Sequence, residues 1–196
     1  EGEECLEDIL KRLGGGIYLS TKVVGIPKGS GLGTSSILSG ACVKALHEFL
    51  GLNCEQSALY DIVLCMEQIM STGGGWQDQV GGLTNGIKYI TTEPGIDQNI
   101  ICEEIQVSPH TMEELQNRFA LIYTGQRRLA RNLLREVVGN YIGGRPESVD
   151  ALIQMKVKAD EMRKALEKGD IDELAELFNE HWELSKQLDM GATNTC

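Results

Sequence analysis

Apolar residues recur at helical spacing along much of the chain. Leu6, Ile9, Leu10 and Leu13 predict a short helix over 4–13, stopped by Gly14-Gly15-Gly16, a run suited to a C-cap. A largely apolar run from Ile37 to about Leu50 predicts a mostly buried helix, and Leu59, Ile62, Val63, Met66 and Met70 form the core stripe of another over 57–70. Shorter apolar runs at 17–24, 87–92, 100–107 and 119–123 read as strands, the last as a buried one. From residue 127 the pattern is helical again, with candidates over 127–141, 146–168 and 171–189, punctuated by Gly143-Gly144 and Gly169-Asp170.

Strands and helices mix in the first part and helices dominate the second. The expectation is an α+β fold of two subdomains, 1–108 and 109–196, joined near residues 108–117. There is no internal repeat and no low-complexity tract.

Composition narrows the function classes. Asp and Glu number 29 against 18 Lys and Arg, a net charge of −11, which argues against a surface devoted to nucleic-acid phosphates. The six cysteines are widely and irregularly spaced, without CxxC or a Cys/His cluster, and are expected reduced; Cys42 and Cys65 fall among apolar residues, as small buried hydrophobes do. No apolar run approaches the roughly 20 residues of a membrane span, and Glu1-Gly2-Glu3-Glu4 is unlike the basic start of a signal peptide, so a cytoplasmic protein is expected. The missing initiator Met and the ending at Asn194-Thr195-Cys196 suggest a fragment of something longer. The oddity is 23 glycines against 4 prolines, and many of the glycines cluster.

The first cluster is Pro27-Lys28-Gly29-Ser30-Gly31-Leu32-Gly33-Thr34-Ser35-Ser36. Glycines allow close backbone approach and positive φ, and a helix starting just after them presents free N–H groups and the positive end of its dipole. Those are the properties of a phosphate cradle. The hydroxyls of Thr34, Ser35 and Ser36 add donors, and one of them could ligate Mg²⁺. A Gly-rich turn with a Ser or Thr N-cap reads the same way. Neither a Walker A closure nor GxGxxG is present.

The second cluster, Gly73-Gly74-Gly75-Trp76-Gln77-Asp78-Gln79-Val80-Gly81-Gly82, follows a helix that carries Glu67. A carboxylate on a helix can ligate Mg²⁺, and one in a Gly-rich turn can take the proton of a substrate hydroxyl during phosphoryl transfer. The plainer alternative is a solvated Glu67 and a capping Asp78. The setting of Asp78 among Trp76, Gln77 and Gln79 favours a functional turn.

The first cluster resembles the second motif of the GHMP kinases, P-x-x-x-G-L-G-S-S-A, with Thr34 in place of the first Ser. The wording of the second, the run Tyr123–Asn132 and the stretch 188–194 are similar to the L-fucokinase branch of that family. The resemblance implies a two-subdomain GHMP-kinase-like fold, with an ATP- and Mg²⁺-binding N-terminal part over 1–108 and a C-terminal part over 109–196. It implies that Gly29, Ser30, Gly31, Leu32, Gly33, Thr34, Ser35 and Ser36 bind ATP, and that Ser35, with Thr34 as the alternative, and Glu67 hold Mg²⁺. Asp78 is then the base or orienter for the anomeric hydroxyl of L-fucose, and Trp76 and Gln77 contact the sugar; Trp76 serves equally as a core aromatic.

Arg127, Arg128, Arg131 and Arg135 form a cluster in which Arg127 or Arg128 could neutralise phosphate charge or orient the sugar, or the cluster is a solvated face paired with the chain's own acids. The three histidines are scattered and read as structural or exposed. The family's N-terminal motif and its C-terminal Gly-rich loop do not occur in residues 1–196. A heptose or sugar-phosphate kinase is the alternative within the class, and a non-catalytic sugar- or nucleotide-binding regulator the alternative outside it. Fusion to, or cooperation with, a sugar-1-phosphate nucleotidylyltransferase is also implied, with neither nucleic-acid nor membrane partners.

Overall fold

Three helices carry the first part of the chain: α1 (Leu6–Leu13), α2 (Thr34–Leu50) and α3 (Gln56–Ile69). They belong to a computed structural model that describes residues 6–27, 29–70, 74–95, 99–123, 125 and 130–188. A short helix α4 (Gln77–Leu83) leads into the strands β1 (Lys88–Thr92) and β2 (Ile100–Glu104). Then follow α5 (Pro109–Arg118), α6 (Ala130–Ile142), α7 (Pro146–Lys168) and α8 (Ile171–Leu188). The strands pair antiparallel, Lys88 with Glu104 through Thr92 with Ile100, so the described fold is α+β and rich in helix.

Two apolar cores hold these elements. In the first, Val43 of α2 meets Leu59 and Val63 of α3, with Ile62, Met66 and Leu83 around them. Glycine sets the distance between α2 and α4. A Cβ at Gly40 would lie 2.5 Å from a methyl of Leu83, and one at Gly82 would collide with Ile37. That close crossing explains why α4 exists although Gly81-Gly82 marks a turn by propensity: packing against α2 outweighs the roughly 1 kcal/mol a helical glycine costs.

The second core gathers Ile105, Ala165, Leu166, Ile171, Leu174 and Leu177, with Ile87, Tyr89, Val107, Leu115 and Met162 packed around them. It joins the hairpin to α5, α7 and α8, and so draws on residues from both sides of position 108. Ser108 caps α5 by accepting from the Thr111 amide at 3.0 Å, and Pro109 occupies its first turn. This helix lies where the sequence suggests only a joint. Gly169 ends α7 at φ +78°, and a Cβ there would lie 2.7 Å from Thr111 Oγ1.

Other expectations are corrected. Residues 17–24 and 119–123 form no strand, because among the described residues no neighbouring strand supplies ladder partners. Their side chains are exposed rather than buried, Tyr18 at 92% and Ile122 at 80%. On α3 the inward face is Leu59, Tyr60, Val63 and Glu67, while Met70 and Cys65 are exposed. Among the described residues Cys42, Cys54, Cys65 and Cys102 are free thiols, and no helix is long and apolar enough to cross a membrane.

Candidate functional site

Positive φ at Gly29, Gly31 and Gly33 bends the first glycine cluster into the start of α2. Gly33 is the N-cap, in the left-handed region at φ 61°, and contributes no side-chain cap; the first intrahelical bond runs from the Ile37 amide to its carbonyl at 3.1 Å. The amides of Thr34, Ser35 and Ser36 therefore open the helix as uncapped donors. Within the loop the Ser30 hydroxyl is buried without a hydrogen-bond partner, a polar atom that an anion in this loop would satisfy. Leu32 and Ser35 are exposed and Thr34 is half-buried.

Ser36, fully buried, donates to the carboxylate of Glu67, itself 6% exposed. The resemblance implies that Ser35 and Glu67 hold one Mg²⁺; the hydroxyl that bonds Glu67 directly is that of the neighbouring Ser36, which shares the inward face of α2 with Gly40 and Val43. The signal was available in the spacing, since Glu67 continues the Leu59–Val63 stripe at i+4 and i+8. Among the described residues no group of three or more His, Cys, Asp or Glu is arranged for a metal. A Mg²⁺ here would thus resemble those that rest on one or two protein oxygens and complete their shell with phosphate and water.

Asp78 lies in the first turn of α4 rather than in an irregular turn. Its side chain packs on Gly33: a Cβ at Gly33 would be 3.3 Å from Asp78 Cγ and 3.5 Å from Oδ1. A carboxylate is thereby held beside the positive end of α2, a placement the helix dipole favours. Behind it, Gln79 is fully buried, and its amide, oriented to suit its surroundings, donates to the carbonyls of Gly75 and Trp76 at 3.2 Å each. Gln68 donates to Gly74 O at 2.7 Å, tying the glycine run to α3.

Trp76 and Gln77, just ahead of Asp78, line a cleft of about 320 Å³ with Lys88 and Tyr89 of β1 and Met162 and Arg163 of α7. Neither Tyr89 nor Arg163 belongs to a motif or spacing pattern that marks a site in the sequence. The Arg163 guanidinium stacks over the Tyr89 ring at 4.7 Å, and the Tyr89 hydroxyl donates to Asp160. That hydrogen bond, with partial burial, raises the phenol above its ordinary pKa. Arg127 and Arg128 lie outside the described residues, and of Arg131 and Arg135 only the helical backbone is described.

The described geometry is thus a glycine loop opening α2, with the Asp78 carboxylate of α4 laid against its last glycine. Residues 3–86 match the family described as GHMP kinases N terminal domain, and that stretch of the chain belongs to the family. Across 169 residues it is 38% identical to the "Bifunctional fucokinase/GDP-fucose pyrophosphorylase" of Arabidopsis thaliana, covering 86% of this chain and 16% of that protein. It is 37% identical over 186 residues to the "L-fucokinase/L-fucose-1-P guanylyltransferase" of Bacteroides fragilis, 95% of this chain and 20% of the relative. A "D-glycero-alpha-D-manno-heptose 7-phosphate kinase" from Campylobacter jejuni is 27% identical over 162 residues, 82% of this chain and 47% of the relative. The chain thus spans less than half the length of each of these three relatives.

Proposed function

We propose that this chain provides the phosphate loop and catalytic base of an ATP-dependent sugar kinase that phosphorylates the anomeric hydroxyl of L-fucose. The observation that carries the reading is the Asp78 carboxylate packed on Gly33 at the start of α2, a position from which it would take the proton of a hydroxyl beside a phosphate held in the glycine loop. The names of the Arabidopsis and Bacteroides relatives support the sugar and a joined nucleotidylyltransferase activity.

In this reading the backbone from Gly29 to Ser36 wraps the nucleotide's phosphates, and the Ser30 hydroxyl donates to one of their oxygens. Ser35 and Glu67 would hold Mg²⁺, with Ser36 fixing the Glu67 carboxylate. Bound ATP with its metal supplies a transferable phosphoryl group and neutralises part of its charge. Asp78 accepts the proton of the sugar's anomeric hydroxyl, Trp76 and Gln77 seat the ring, and Arg127 faces the charge developing on transfer. Catalysis is then mainly positioning and charge stabilisation. A cytoplasmic location accords with free thiols at Cys42, Cys54, Cys65 and Cys102.

The test is Asp78→Asn in the full-length protein, read in single turnover with labelled ATP and L-fucose. Turnover falls by about 100-fold or more while ATP binding is retained. Near-normal turnover would overturn the assignment, and a wild-type protein that binds both ligands without transfer would favour a regulator.

A further inference from the structure

Gln79 is the largest fully buried side chain among the described residues, and it is polar. A primary amide taken out of water must find partners for both of its donors, a demand that an apolar side chain of the same size would not make. Here both donors go to one short stretch, the carbonyls of Gly75 and Trp76, at 3.2 Å each. Gln68 of α3 takes the carbonyl just before them, that of Gly74, at 2.7 Å. Successive carbonyls on the approach to Asp78 are therefore held by two glutamine amides.

We propose that Gln79, supported by Gln68, is the positioning residue that fixes where the Asp78 carboxylate stands; the proposal rests on the kinase reading for the role of Asp78 as base. The helix α4 has only 7 residues, too few to hold its own first turn, and its N-cap Trp76 supplies no side-chain cap. Side chains on a helix lean toward its N-terminus, so Gln79 reaches back to the carbonyls through which the chain enters α4. The Trp76 carbonyl accepts this amide together with the backbone N–H of Val80, at 3.1 Å, which closes the first turn. Asp78 belongs to that turn: it lies on Gly33 while Gln79, next along the chain, is directed inward.

The far end of α4 is pinned separately. Gln56 donates to the Leu83 carbonyl at 3.2 Å, the hydroxyls of Tyr60 and Thr84 share a hydrogen bond, and Gly40 and Gly82 set the crossing on α2. Loss of the Gln79 amide therefore leaves α4 seated on α2 but takes a donor from the carbonyls of Gly75 and Trp76, which are then free to turn toward water. The turn that carries Asp78 loosens, and a displacement of about 1 Å at a reacting group costs roughly 100-fold in rate. The nucleotide loop over 29–36 belongs to α2 and is not touched by the change. The effect falls on kcat rather than on ATP binding.

The experiment uses the full-length protein with ATP and L-fucose. Gln79→Met keeps the length of the side chain and removes the amide; kcat falls about 100-fold while the KM for ATP stays within about twofold. Leu177→Ala, in the core around the hairpin, is the control for stability alone: it lowers the melting temperature, yet kcat measured where every variant is folded stays within about twofold. In the Asp78→Asn background Gln79→Met slows single turnover by no more than about twofold, because a residue that acts through Asp78 has nothing left to position. Hydrogen exchange reads the same turn without chemistry: the Val80 amide exchanges about tenfold faster or more in Gln79→Met and is unchanged in Leu177→Ala. Should Gln79→Met not fold, Gln68→Ala, at an exposed position, lowers kcat several-fold with the KM for ATP unchanged. The proposal is overturned by a normal kcat in the variant that folds, by full additivity with Asp78→Asn, or by unchanged exchange at Val80. Failure of the kinase reading looks different: Asp78→Asn itself turns over normally, and the exchange rate at Val80 alone then decides whether Gln79 holds the turn.

Discussion

Ser36 on α2 donates its hydroxyl to the buried carboxylate of Glu67 on α3, linking two helices across 31 residues of sequence. The bond lies one turn from the loop where α2 begins, so the two acids of the site, Glu67 and Asp78, are both referenced to the same helix end.

Ser36→Ala removes one partner of a buried carboxylate and should cost about 1–3 kcal/mol. Ser35→Ala, at an exposed position, should stay within about 0.5 kcal/mol. Urea denaturation of the two variants measures the difference, and equal costs would show that the link between the helices contributes nothing.

Gly33→Ala combines left-handed backbone strain of about 1–2 kcal/mol with contact against Asp78. Gly25, at φ +78° with open space around it, supplies the control. Both alanine variants should lose similar stability, but only Gly33→Ala should also lose turnover, by roughly 100-fold if Asp78 is moved about 1 Å. Equal turnover in the two variants would separate the loop from the acid.

The α2–α4 crossing predicts a compensating pair. Gly82→Ala drives a methyl into Ile37 and should cost about 1–3 kcal/mol, whereas Gly81→Ala, which meets nothing, should be neutral or stabilising. Adding Ile37→Ala to Gly82→Ala should recover part of the loss, with a coupling of about 0.5–3 kcal/mol in a double-mutant cycle. Simple additivity would contradict the close approach.

Tyr89 carries a pH dependence. Its phenol is raised above 10.0, first by donating to Asp160 and next by burial, so the folded state holds this proton more tightly than the unfolded chain does. The stabilisation is complete below the unfolded value near 10 and is lost as pH rises through the higher folded value. Stability measured at pH 7, 9 and 11 should fall in the alkaline interval. Tyr89→Phe keeps the ring under Arg163 and should flatten that fall; an unchanged alkaline slope would remove Tyr89 as its source.

Where a helix owes its existence to its own apolar stripe, its position could be read from the chain. The helices α2, α3, α7 and α8 lie close to their expected bounds, and β1 nearly matches its apolar run. Elements that depend on distant partners carry no such local signal. Residues 17–24 and 119–123 have strand-like composition but no ladder partner among the described residues, and α4 runs through two glycines because α2 lies against it.

The chemistry at hand is legible along the chain: a glycine loop suited to phosphate, a hydroxyl cluster, and two acids in different settings, because composition and spacing are local properties. Which of these groups meet depends on how the helices pack, and packing joins residues that local spacing cannot. It brings the Ser36 hydroxyl to Glu67, because the turn of α2 points Ser36 inward, and it lays Asp78 on Gly33, because Gly40 and Gly82 let α4 settle close to α2. It also set Tyr89 and Arg163 near Trp76, a grouping of residues far apart in the chain that only packing of the hairpin against α7 produces.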